Sequence, residues 1–172
     1  MELKMFGKKS LSTVLFYSTR LIMIGYGVFL LLIIVSLISN NFVITELNEL
    51  QIHIPFTNSM IKGDYNPIAF IGVFCFLILY STFFLVLSLI FKTFSAEKLF
   101  TEVAIKYLRW FTILNLILPV AYAVIGILIN NKIVFDDITP GLLHMGLGVF
   151  AAFIATIFKL GFTLQEENEL TI

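Results

Sequence analysis

Side chains able to do chemistry are sparse in this chain, and their spacing decides what they can form. The two histidines, His53 and His144, and the carboxylates Asp64, Asp136 and Asp137 fall in, or beside, two connecting segments between long apolar runs. Residues of these types hold metals or move protons when their spacing brings them together. Here no His-Glu-x-x-His or comparable ligand pattern exists, so His53 and His144 are expected to be ordinary interfacial histidines, with no metal or cofactor. No Ser–His–Asp order and no glycine-rich phosphate loop stands out, so no enzyme is expected. Cys75 is the single cysteine and has no partner for a disulfide. Asn115 is the main polar side chain deep inside an apolar run. It is expected to act as hydrogen-bonding glue between helices, with contact to a solute as the alternative.

The elements that must position these residues are four runs without Asp, Glu, Lys or Arg: Leu21–Ser39, Tyr65–Phe91, Trp110–Asn131 and Ile138–Phe158. A bilayer core of about 30 Å needs roughly 20 such residues in a helix. The composition agrees: 13% of the 172 residues are charged and 59% apolar, where a soluble domain has about 25% charged. The expected fold is all-α and membrane-embedded: a four-helix transmembrane bundle in one domain, with spans at about 19–39, 67–91, 108–130 and 141–161. The first run lies far from Met1 and lacks a small-x-small cleavage pattern, so it is expected to be a retained span. Zero formal net charge gives no field toward nucleic acid, and no direct nucleic-acid binding is expected.

Nine of the eleven Lys and Arg residues lie before the first run, between the second and third, or just after the fourth. Positive charge marks the cytoplasmic side. Both termini and the middle connection are therefore expected in the cytoplasm of a bacterial plasma-membrane protein. Ser10 or Ser12 is expected to cap a helix leading into the first span, with Leu11, Leu15 and Phe16 on the bilayer surface.

Segment 50–56, Leu-Gln-Ile-His-Ile-Pro-Phe, alternates apolar and polar residues and predicts a strand ending at Pro55. Segment 132–137 predicts a second strand, pairing with it in a small extracytoplasmic β element. Between them, 62–67 reads as a turn. In the middle connection, Ser95 and Thr101 are both plausible N-caps, and the helix entering the third span is expected to begin near Thr101. Pro119 predicts a bend in that span. Gly148, Ala152 and Thr156 recur every fourth residue and predict the tightest helix contact, either within the chain or in a homo-oligomer.

Two further motifs lie on the cytoplasmic side. One is Phe100-Thr101-Glu102 followed by Leu108-Arg109. The other is the tail, Gly161, Leu164, Glu167, Asn168, Glu169, Leu170, Thr171 and Ile172, whose acidic residues are expected to pair with Lys98, Lys106 or Arg109. In both, the chain resembles a bacterial family catalogued as domain of unknown function 2975. Its members have four spans and end in Gly-x-x-Leu-x-x-Glu-Asn-Asp/Glu-Leu-Thr-Val/Ile. The chain departs from that family's Gly-x-Pro before the Phe-Thr pair, having Glu97-Lys98-Leu99, and has Ala104 where Asn is common. The resemblance implies pairing with a small Cro-like helix-turn-helix regulator, docked on the cytoplasmic side.

The function expected first is a non-enzymatic membrane sensor or interaction protein, working through the faces that carry these two motifs. A small permease or transporter subunit is the second reading, with Asn115, Pro119 and the glycine face of the fourth span lining a path. An immunity-type protein against membrane-active peptides is the third.

Overall fold

A computed structural model describes residues 4–130 and 135–169. Four long helices carry most of the chain: α1 (Leu11–Ile38), α2 (Pro67–Phe94), α3 (Glu102–Asn130) and α4 (Phe135–Glu169). Each contains a stretch long and apolar enough to cross a membrane. The helices outrun the charge-free runs, mostly at one end. The 35 residues of α4 reach about 52 Å at roughly 1.5 Å per residue, against about 30 Å of hydrocarbon. The charge-free stretch ends where charged side chains begin, while helical backbone hydrogen bonding continues past it.

Packing is serial: α1 lies on α2, α2 on α3, and α4 packs most extensively on α3. The buried residues of α3 include Ala104, Leu108, Phe111, Asn115 and Leu118; those of α4 include Ala151, Ala155 and Phe158, with His144 on the same line. These spacings of three and four make facing seams of the kind that hold near-antiparallel helices together. Gly148 lies in the α4 seam: a methyl there would sit 3.2 Å from Asn115 Cβ and 3.4 Å from the Thr112 carbonyl oxygen. Of the expected four-residue stripe, Gly148 is buried, Ala152 half-buried and Thr156 exposed, so the stripe leaves the seam. The α3–α4 contact is the most extensive between helices, and a heptad-like line makes it rather than the expected stripe. Pro119 lies within α3, and Gly141 packs against its ring.

The β element is a three-stranded antiparallel sheet in the order β1 (Phe42–Ile44), β2 (Glu49–His53), β3 (Met60–Asp64). β2 is the expected strand and ends before Pro55. Its partners are not those expected. Lys132–Val134 lie outside the described residues, and from Phe135 the chain is helical. The pairing is local instead, from both sides of the same connection, with part of 62–67 as strand rather than turn. Short loops close at lower entropic cost than a partner some 80 positions away. Asn48 and Phe56 supply the left-handed turns, at φ 59° and 63°. Leu50 and Ile52 point inward onto Ile33 and Leu77, and the buried Ser36 hydroxyl is within 2.7 Å of the His53 carbonyl. The sheet is thereby held on the end of α1.

The opposite end gathers the basic residues. Gly7 N–H donates to the Phe94 carbonyl at 3.0 Å, and Lys8 pairs with Glu97 at 2.8 Å. Ser10 is the N-cap of α1, but its side chain makes no capping bond; the Ser12 hydroxyl donates to the Met5 carbonyl instead. The residues expected to lie along a surface, Leu11, Leu15 and Phe16, are the first turns of a continuous α1. Ser95 ends α2, and Thr101 caps α3, its hydroxyl accepting from Ala104 N–H at 3.2 Å.

Candidate functional site

Two groupings of chemistry-bearing side chains emerge. The first is inside the helix bundle. Asn115 is fully buried on α3, and its side-chain nitrogen donates to the Phe111 carbonyl at 2.8 Å. Its oxygen is therefore free to accept, and His144 Nδ1 lies 2.8 Å from it. Of the two nitrogens of a neutral imidazole, one donates and the other accepts. Nδ1 facing an amide oxygen must carry the proton, which leaves Nε2 as the acceptor. The Tyr80 hydroxyl, 3.0 Å from Nε2, is the donor. One direction of donation thus runs from α2 through α4 to α3: Tyr80 to His144 to Asn115 to the Phe111 carbonyl. The Tyr80 and Phe83 rings meet the imidazole edge-on, at 5.7 and 5.5 Å.

This corrects the expectation for His144. It is 7% exposed and part of the core, not interfacial. His53 is exposed at the end of β2, so the two histidines have different surroundings. Asn115 is the glue the sequence indicated. The sequence signal for His144 was its place among Gly141, Gly148, Ala151 and Ala155 on one helix line.

The second grouping is at the basic end, where the two motifs meet. Phe100 lies across Gly161: a methyl on Gly161 would be 2.7 Å from ring carbons Cδ1 and Cε1. Phe158 meets Phe100 edge-on at 5.2 Å and stacks on Phe94 at 5.3 Å. Lys98 Nζ donates to Glu169 at 3.0 Å, and Gln165 donates to the same carboxylate oxygen at 3.2 Å. Those bonds, with the Lys98 charge, hold the Glu169 carboxyl below its ordinary value. The expected pairing of tail and middle connection is present through Lys98, while Lys106 instead stands over the Trp110 ring at 5.0 Å.

Phe100, Gly161, Leu164, Gln165, Asn168 and Glu169 line an open groove of about 520 Å³. Leu164 is exposed on it. Glu102 and Arg109 are also exposed, whereas Glu167 and Asn168 extend the acidic end of α4. Leu108 is a correction: it was expected on the interaction face but is buried in the core, 4% exposed. Thr101 serves as a helix cap. Leu170 and Thr171 lie outside the described residues.

Compared with known protein families, with curated proteins and with solved structures, the chain matches none.

Proposed function

We propose that the chain is a multi-pass bacterial plasma-membrane protein that acts by contact rather than catalysis, as a sensor or interaction protein. Its basic end faces the cytoplasm in this reading, supported by the clustering of Lys4, Lys8, Lys9, Lys92, Lys98, Lys106, Arg109 and Lys159 there. The observation that carries the reading is the convergence of Phe100 and Gly161 on one groove. Two motifs about 60 residues apart in sequence form a single surface, with an apolar floor and a rim of two amides, Gln165 and Asn168, and the Lys98-paired carboxylate of Glu169. Such a surface suits an apolar side chain flanked by hydrogen-bonding groups on a soluble partner. Membership of the domain of unknown function 2975 family, and a small helix-turn-helix regulator as the partner, belong to this proposal.

A photo-crosslinking side chain at Leu164, compared with one at Phe153 on the apolar flank of α4, tests it in native membranes. The expected result is a small cytoplasmic protein captured from position 164 and only lipid from position 153. Lipid alone from both positions overturns it. The permease reading draws on the buried Tyr80–His144–Asn115 relay; a solute flux abolished by Asn115→Leu would favour it. That relay is closed by bonds within the protein, which favours the structural role.

A further inference from the structure

We infer that the α3–α4 groove at the basic end seats the phosphodiester of an anionic glycerophospholipid, with one acyl chain laid toward the middle of the bilayer. The inference rests on the membrane reading above and on a different face from the partner groove.

The cleft has a volume of about 530 Å³, and its lining includes Lys106, Arg109 and Lys159 together with Glu102 and Glu166. Three cations face two carboxylates, so the lining is one anion short of balance. None of the three cations is in an ion pair within the described residues; the ion pairs there are Lys8–Glu97 and Lys98–Glu169. Arg109 and Lys159 mark the ends of the charge-free stretches of α3 and α4, the level at which headgroups sit. Trp110, on the same cleft, is the residue type favoured at that level. Basic clefts between spans on the cytoplasmic side are suited to anionic headgroups.

A second hollow of about 250 Å³ lies on the same helix pair, further into the apolar stretch, between Thr112, Leu116, Gly148, Ala152 and Thr156. The two hollows are in helical register: Arg109, Ile113 and Leu116 on α3, and Thr156, Lys159 and Thr163 on α4, step by three or four residues. In the deeper hollow both hydroxyl protons are already committed. Thr112 donates to the Leu108 carbonyl at 3.1 Å and Thr156 to the Ala152 carbonyl at 3.0 Å. Such a wall offers an entering group dispersion contacts and no donor, which suits an alkyl chain rather than a polar solute. Charge at one hollow and an apolar wall at the next, on one face, match a lipid and not free phosphate.

Trp110 is the only tryptophan in the chain, so its fluorescence reports the cleft directly. The full chain is placed in bilayers of phosphatidylcholine with a minor share of phosphatidylglycerol, with either lipid brominated on its chains. Preferential occupancy predicts that brominated phosphatidylglycerol quenches Trp110 beyond its mole fraction, by about fivefold in relative association for the one unbalanced charge. Arg109→Gln with Lys159→Gln should remove the preference, and Glu166→Gln should raise it, so a general folding defect cannot imitate both. Free glycerol phosphate added to the buffer should not reverse the quenching. Quenching in proportion to mole fraction for both lipids, or a preference unchanged in the variants, overturns the lipid site while leaving the membrane reading intact. No quenching by either lipid overturns both.

Discussion

Phe100 and Gly161 fit each other with no room for a side chain: any Cβ at position 161 would lie 2.7 Å from the ring. This contact joins the α2–α3 connection to the last turns of α4. Gly161→Val must push the ring aside, and overpacking of this kind costs about 1–3 kcal/mol. The expected outcome is a lower unfolding midpoint in detergent, with most of the loss recovered when Phe100→Ala is added. A Gly161→Val chain as stable as the parent would show that the two residues are not in contact.

The Asn115–His144 bond predicts a tautomer as well as a stability. His144 should carry its proton on Nδ1, because Asn115 offers it an oxygen and Tyr80 offers Nε2 a hydrogen. Nitrogen NMR of ring-labelled His144 distinguishes the two tautomers, and a protonated Nε2 facing Tyr80 would contradict the relay. Asn115→Leu should destabilise, with a coupling to His144→Leu of about 0.6 kcal/mol and at most about 1.7 kcal/mol, the range for side-chain hydrogen bonds between membrane helices.

These two contacts show what a sequence of this class reveals. The four helices were legible because charge is excluded from long runs. Asn115 stood out because amides are rare there. His144 did not, because it lies only six residues into its run, and hydropathy does not distinguish a residue near the edge of a run from one exposed there. The α3 and α4 seams were hard to read for a physical reason. In a helix that faces lipid, the outer surface is as apolar as the core, so hydropathy carries little contrast. Leu116 and Leu118 are the same residue type on one apolar run, yet the first is 44% exposed and the second fully buried. Only small and polar residues mark the inner line. The sheet was half legible: Leu50 and Ile52 alternate clearly with their polar neighbours, while Gly63-Asp64 disguised β3 as a turn. At the basic end, the two motifs were visible separately, but their meeting depends on where two helix ends lie in space.

Gly148 and Gly146 provide an internal control on the α3–α4 seam. A side chain at Gly148 meets Asn115 and the α3 backbone, whereas nothing lies within 4 Å of a Cβ at Gly146. Gly148→Leu should separate the helices, lower stability by at least about 1–3 kcal/mol and disturb the His144 ring signals. Gly146→Leu should leave both nearly unchanged. Equal effects from the two substitutions would place the seam elsewhere on α4.

Glu169 makes the end of α4 sensitive to acid. Its carboxyl is held below the ordinary value, first by the hydrogen bond from Lys98, then by that from Gln165 and by the Lys98 charge. A lowered folded-state value means the pairing contributes fully above the unfolded value, about 4.3, and is lost as pH falls through the lower folded one. Both side chains are well exposed, so the effect is local and salt weakens it. Spin labels at Ala96 and Asn168 should report a constant separation from neutral pH to about 5 and a wider distribution below the ordinary glutamate range. Lys98→Gln should move the Glu169 titration upward and leave the wider distribution present already at neutral pH. A titration unmoved by Lys98→Gln would mean that the last turns of α4 are held by the Phe100–Gly161 contact without help from the ion pair.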